Sequence, residues 1–276
     1  GTLNAFDRAP EYMMELVQQV VTSPDFQTRD GHATPLATRL AQLLPGLFKN
    51  KRRLFGGPSG IHWVDAMDHF VCRRAHDVAL TQFSPMLQQQ SSNKKQDTEM
   101  ELSNLESAVK RHLSWRFEQW HKHPALLAAT AAPPLGEVVT SMMMSQQQQQ
   151  CNNNNNNNAT TRNAPPFWIY SCHDVTLLSL LYGIKARFLL NDHNDYWPSY
   201  ASTLVFELIR NKDERRVRVC LNGNVVTTLD HNDDDDTTTT LSTFANRIQT
   251  LEQQCQEPGI INLTKSTLFT LKDITG

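Results

Sequence analysis

No stretch of this 276-residue chain is long and apolar enough to span a membrane as a helix. The nearest candidate, residues 125–144, is interrupted by Pro133 and Pro134 and carries Glu137, whereas a span needs about 18–20 consecutive apolar residues. Neither sign of charge dominates. Lys and Arg number 26 against 28 Asp and Glu, a formal net charge of −2, which argues against a nucleic-acid partner held by a general positive field. The five cysteines, Cys72, Cys151, Cys172, Cys220 and Cys255, form no C-x-x-C pair, so a zinc ribbon and a thioredoxin-type motif are out. Their odd number leaves at least one thiol without a partner inside this chain. The sequence opens at Gly1 with no basic-then-apolar leader; the expectation is a segment removed, or a piece of something longer.

What is present is enough chain for one large domain or two modest ones. Part of it cannot pack a core. Gln146–Gln150 runs through Cys151 into seven Asn, and Asp233–Asp236 precedes Thr237–Thr240. Such polar tracts bury too little apolar surface to offset the entropy of ordering them. Two acceptor sequons, Asn158-Ala159-Thr160 and Asn262-Leu263-Thr264, would suit a secretory or lysosomal protein.

The first 140 residues read as mainly helical. Pro10–Val21 and Pro35–Leu44 are short helix candidates, and a loop carries Lys49, Lys51, Arg52 and Arg53 up to Gly56-Gly57-Pro58. Val64, Met67, Val71, Ala75 and Val78 recur at spacings of three and four, the stripe of a helix lying on a core. After a polar loop, Gln88–Gln96, the string Thr98-x-x-Glu101 reads as a capping box. Leu102, Leu105, Val109, Leu113, Phe117 and Trp120 then continue one apolar face as far as Pro124. The tract from Pro133 to Pro166 reads as an insertion without fixed structure.

Beyond it the period changes. Phe167-Trp168-Ile169-Tyr170 predicts a buried strand, and residues 175–182 a Leu-rich helix ending at Gly183. Residues 203–209 and 216–221 alternate, and Asn222-Gly223 before residues 225–229 is a preferred two-residue hairpin turn. A last helix spans residues 241–255 with Phe244, Ile248 and Leu251 on one face. From the residues alone the class is α plus β, not a simple alternation.

Two constellations could carry chemistry. At the end of the predicted strand, His173 could donate to a phosphate oxygen at a helix N-terminus. Asp174 could cap that helix or carry a proton, and the two roles need opposite pKa shifts. On the earlier helix His69, Cys72 and His76 lie at i, i+3 and i+7 beside Asp65 and Asp68. All are metal-ligand types, yet nothing fixes a closing set, so no metal is assigned.

Three blocks in order resemble the histidine acid phosphatases, the branch of the histidine phosphatase superfamily that includes lysosomal and prostatic acid phosphatases and phytases. Tyr170-Ser171-Cys172-His173-Asp174-Val175-Thr176-Leu177 resembles that family's Tyr-Ser-Ala-His-Asp-Thr-Thr-Leu block. Trp197-Pro198-Ser199-Tyr200-Ala201-Ser202 with Phe206-Glu207-Leu208 is similar to its Pro-Pro-Tyr-Ala-Ser and Phe-Glu-Leu stretch. Asp68-x-x-x-Cys72-x-x-x-His76-Asp77 is similar to a signature of its helical cap, and residues 9–12 and 253–256 are fainter echoes.

The resemblance implies a phosphoglycerate-mutase-like α/β core, incomplete at its amino terminus, with a mainly helical cap. It divides the chain into a helical cap region at 1–140, a low-complexity insertion at 141–165, and the carboxy-terminal part of the core at 166–276 with an Asp/Thr-rich loop at 231–240. The implied activity is hydrolysis of phosphate monoesters through a phosphohistidine, with His173 binding phosphate and Asp174 protonating the leaving alkoxide. The partner implied is a small phosphorylated substrate, and no cofactor or metal is needed. The family's nucleophile motif, Arg-His-Gly-x-Arg-x-Pro, has no counterpart; the nearest string, Arg29-Asp30-Gly31-His32, has the wrong order. The chain alone is therefore expected to be an inactive fragment. The alternative is a non-catalytic phosphate-binding or scaffold protein of the same fold.

Overall fold

A computed structural model describes residues 4–48, 60–78, 92–154, 167–190, 195–211, 214–228 and 237–255. Both sequons, the Lys49–Arg53 cluster and most of the Asp-rich loop lie outside them. In chain order the helices are α1 (Ala5–Arg8), α2 (Pro10–Val21), α3 (Pro24–Gly31), α4 (Thr34–Leu43), α5 (Trp63–Ala75), α6 (Ser92–Lys122), α7 (Pro124–Asn154), α8 (Asp174–Gly183) and α9 (Leu241–Glu252). The strands are β1 (Leu204–Asn211), β2 (Glu214–Leu221), β3 (Asn224–Val225) and β4 (Thr238–Thr240). Among the described residues no helix is long and apolar enough to cross a membrane. The mixture of helices with a small antiparallel sheet is consistent with the α/β class.

The chain forms two compact units. One comprises residues 14–123 and 191–201; the other comprises 1–13, 124–190 and 202–276. The boundaries between the units fall at 13/14, 123/124, 190/191 and 201/202.

The first unit is built around α6. The apolar face read from the sequence is the buried face: Leu102, Val109, Leu113, Phe117 and Trp120 are all inside. The helix begins six residues before Thr98, inside the stretch expected to be a polar loop. Trp115, Ser114, Arg116 and His121 are buried too, so the helix is covered on more than one side. On α5, His62 is the N-cap, its ring nitrogen accepting from the Asp65 amide at 3.1 Å. Glu106 on α6 lies 2.5 Å from Arg74 and 3.6 Å from Arg73 of α5, tying the two helices.

In the second unit α7 packs against α8 and α9. The tract expected to lose structure at Pro133 is helical from Pro124 to Asn154. Proline inside a helix removes an i→i−4 hydrogen bond and costs about 3 kcal/mol. Here burial outweighs that cost: Ala128, Ala129, Ala131, Leu135 and Val139 are fully buried. Small residues let α8 approach closely, and a methyl group added at Gly183 would come within 2.9 Å of the Ala131 Cβ.

The sheet is a meander, β1 antiparallel to β2 with Leu204 opposite Leu221 and Asn211 opposite Glu214, then β3 and β4 both pairing with β2. Asn222 and Gly223 have φ of 50° and 81°, the pair of left-handed residues that a tight hairpin turn needs. Val217, Val219 and Leu221 are buried, and Phe206 lies 6.0 Å from the Phe244 ring of α9. On the opposite face Arg218 donates to Glu207 at 2.5 Å.

Candidate functional site

The approach to the site departs from expectation. Residues 167–170 form no strand; Phe167 and Ile169 are 81% and 82% exposed, and Trp168 and Tyr170 about half exposed. A run of aromatic and β-branched residues becomes a strand only when a neighbour takes up its amides and carbonyls. Among the described residues no strand pairs with it.

At the end of this segment the chain turns into α8. His173 is the N-cap, with extended φ and ψ of −83° and 160°. Its carbonyl accepts from Thr176 at 3.0 Å and Leu177 at 3.2 Å, closing the first turn. Its imidazole makes no capping bond and is exposed. Asp174 is the first helical residue, half-buried, and its Oδ1 accepts the Val175 amide at 2.8 Å. The helix behind is rigidly seated, because Leu177 to Gly183 are all buried. Arg247 donates to the Ile184 carbonyl at 2.7 Å, just past its end.

This geometry brings the two sequence-predicted residues to one helix N-terminus, adjacent and pointed out of a packed scaffold. The electrostatics favour an anion there, since the first-turn amides carry a partial positive charge. One of those amides is already taken by the Asp174 carboxylate. Partial desolvation, reinforced by the Asp174 charge, pushes the neighbouring Cys172 thiol up.

The other candidate set lies in the first unit. Asp68 and Cys72 are on α5, His76 is its C-cap, and Asp77 follows with φ 51°. The Cys72 thiol is 3.5 Å from the Tyr200 hydroxyl, and that hydrogen bond raises the phenol pKa. His69 is pushed down by burial and by Arg73. Among the described residues no group of three or more His, Cys, Asp or Glu side chains is arranged to hold a metal ion. In the 197–202 block the Trp197 ring packs 5.3 Å from Phe117, and Ser114 donates to the Tyr196 carbonyl at 3.0 Å.

Residues 101–222 match the histidine phosphatase superfamily, branch 2. The matched segment is somewhat under half of the chain and contains His173, Asp174, the 197–202 block and Phe206-Glu207-Leu208. The Asp68–Asp77 block and the fainter echoes at 9–12 and 253–256 lie outside it. No curated protein matches the chain. Similarity to this superfamily over that segment is compatible with a small phosphorylated substrate. Within it the sequence supplies the His-Asp pair and no Arg-His-Gly triplet. A cluster that sequence reading missed, Asp30, His112 and Arg116, joins residues more than 80 positions apart, and no local spacing could have announced it.

Proposed function

We propose that this chain contributes the phosphate-binding and proton-donating half of a histidine acid phosphatase. The observation that carries the reading is the His173-Asp174 pair at the N-terminus of α8, inside the matched segment. His173 binds a phosphate oxygen through a ring N–H, and its freedom from capping leaves the ring available. Asp174 protonates the departing alkoxide, a poor leaving group without a proton. The phosphate dianion itself helps hold that proton on the carboxyl.

The attacking imidazole and the arginines that clamp the phosphoryl group come from an Arg-His-Gly-x-Arg-x-Pro segment that these 276 residues do not carry. The exposed apolar run 167–170 supports this, since its side chains and backbone suit a strand in a sheet. Residues 14–123 with 191–201 are read as the helical cap.

Hydrolysis of p-nitrophenyl phosphate tests the proposal. The 276-residue chain is expected to be inactive, and the product of the same reading frame extended upstream to include the motif is expected to be active. That activity should fall on His173→Ala. Turnover by the 276 residues alone, lost on His173→Ala, would overturn the division of the active site. Phosphate binding without turnover by the extended protein would favour a scaffold of the same fold.

A further inference from the structure

The turn between β2 and β3 holds a chemistry that the phosphatase reading does not use. Asn222-Gly223 is the only Asn-Gly step in the chain. In such a step the following backbone nitrogen can attack the side-chain amide, and glycine, with no Cβ, hinders that attack least. Both residues are exposed, and nothing lies within 4 Å of a would-be Cβ at Gly223. The Gly223 amide donates to no acceptor among the described residues, so solvent has access to its proton.

Asn222, by contrast, is held by the chain opposite. Its N–H donates to the Thr203 carbonyl at 2.9 Å, and its Oδ1 accepts the Thr203 N–H at 2.8 Å. This reciprocal pair carries the β1–β2 ladder one step beyond Leu204 and Leu221, with the side-chain amide standing where a strand carbonyl would. Nδ2 donates to the Ser202 hydroxyl at 3.4 Å, and the Asn222 carbonyl accepts from Asn224 Nδ2 at 3.4 Å. Both ends of the Asn222 carboxamide are therefore engaged by residues 202 and 203. Swinging its carbon onto the Gly223 nitrogen breaks both of those bonds.

We propose that Asn222 is a deamidation site gated by opening of this end of the β1–β2 ladder. In the open form the Gly223 nitrogen gives its proton to solvent and attacks Cγ of Asn222. The N–Cγ bond forms, the Cγ–Nδ2 bond breaks, and ammonia leaves with a proton from water, so a cyclic succinimide remains. Water then opens the ring at either carbonyl, giving aspartate or isoaspartate, and no oxidant or reductant enters. Aspartate keeps an oxygen for the Thr203 N–H. Isoaspartate adds a methylene to the backbone, and a two-residue turn with φ of 50° and 81° has no room for it. Each opening that reaches isoaspartate is therefore recorded irreversibly in the chain.

The inference is independent of the phosphatase reading, because neither substrate nor activity enters its test. Peptide mass spectrometry would follow deamidation at Asn222 in the 276-residue chain at mildly alkaline pH, folded and in urea. The folded chain should react about tenfold or more slowly than the unfolded one, since only its open fraction is reactive. Equal rates would overturn the gate. Thr203→Pro removes the N–H given to Oδ1 but keeps the carbonyl, at the entry to a strand where proline is tolerated. It should raise the rate in the folded state toward that in urea, and an unchanged rate in a folded variant would refute the clamp. If the variant does not fold, amide exchange at Thr203 in the wild type decides instead. A folded rate equal to the open fraction multiplied by the urea rate supports the proposal, and a faster one refutes it.

Discussion

Gly183 lies so close to Ala131 that no larger residue fits between α8 and α7. A Cβ at 183 would come within 2.9 Å of both the Ala131 Cβ and the Leu135 Cδ1. Gly183→Ala should therefore destabilise the second unit by about 1–3 kcal/mol, the usual cost of overpacking. Urea denaturation of the two proteins measures it; an unchanged midpoint would mean the helices separate freely. The change also bears on the site, because α8 carries His173 and Asp174 at its other end.

Glu106 provides a second stability test. Its side chain is 7% exposed and answers both Arg73 and Arg74. Glu106→Gln should cost about 1–3 kcal/mol, the range for a hydrogen bond to a charged group. Arg74→Ala should cost much less, since Arg74 is 71% exposed and solvent already screens it. Equal losses in the two variants would contradict this ranking.

Acid should weaken the first unit through His121. Burial pushes His121 down to about 3, against a weaker opposing hydrogen bond to the Phe117 backbone. Its folded pKa is below its unfolded one, so the unfolded chain binds the extra proton. Stability is full above about pH 6.5 and declines as pH falls from there toward 3. The urea midpoint should drop across that window, and His121→Leu should flatten part of the slope. A midpoint constant between pH 7 and pH 4 would show that the ring is not neutral in the fold.

The two roles open to Asp174 separate by substitution. Asn at 174 keeps an oxygen for the Val175 amide but has no acidic proton, whereas Ala keeps neither. In the protein extended to include the nucleophile motif, Asp174→Asn should leave stability within about 0.5 kcal/mol of wild type. It should reduce kcat by about 10²–10⁴, the range for a lost general acid. Full activity in Asp174→Asn would leave the carboxylate only its local hydrogen bond.

The hairpin at Asn222-Gly223 is constrained by conformation rather than space. Gly223 has φ 81° and nothing within 4 Å of a would-be Cβ. Gly223→Val should cost about 1–2 kcal/mol through the left-handed backbone alone, read as a lower melting temperature. No loss would mean that the turn has another form.

Much of the architecture was legible locally. The helix Pro10–Val21 has the bounds its residues suggested, and the α6 stripe from Leu102 to Trp120 predicted the buried face. Both follow from periodicity, which is set by backbone geometry and needs no knowledge of partners. Asn222-Gly223 announced its turn for the same reason: left-handed φ at two successive positions selects those residue types.

Other features depended on what lies across the contact. Pro133-Pro134 read as a break, yet the helix continues because small buried residues on either side pack against α8 and α9. Phe167–Tyr170 read as a buried strand and is exposed, because its residues state a propensity that only a pairing neighbour can satisfy. At the candidate site the sequence determined which groups stand side by side, His173 and Asp174, and that the nucleophile motif is missing from these residues. Only the tertiary structure decided that the histidine caps α8 with its ring left free while the aspartate takes the Val175 amide. Only it decided, too, that Asp30 meets His112 and Arg116. Adjacency along a chain is fixed by covalent bonds, whereas contact across 80 residues exists only once the apolar faces have closed.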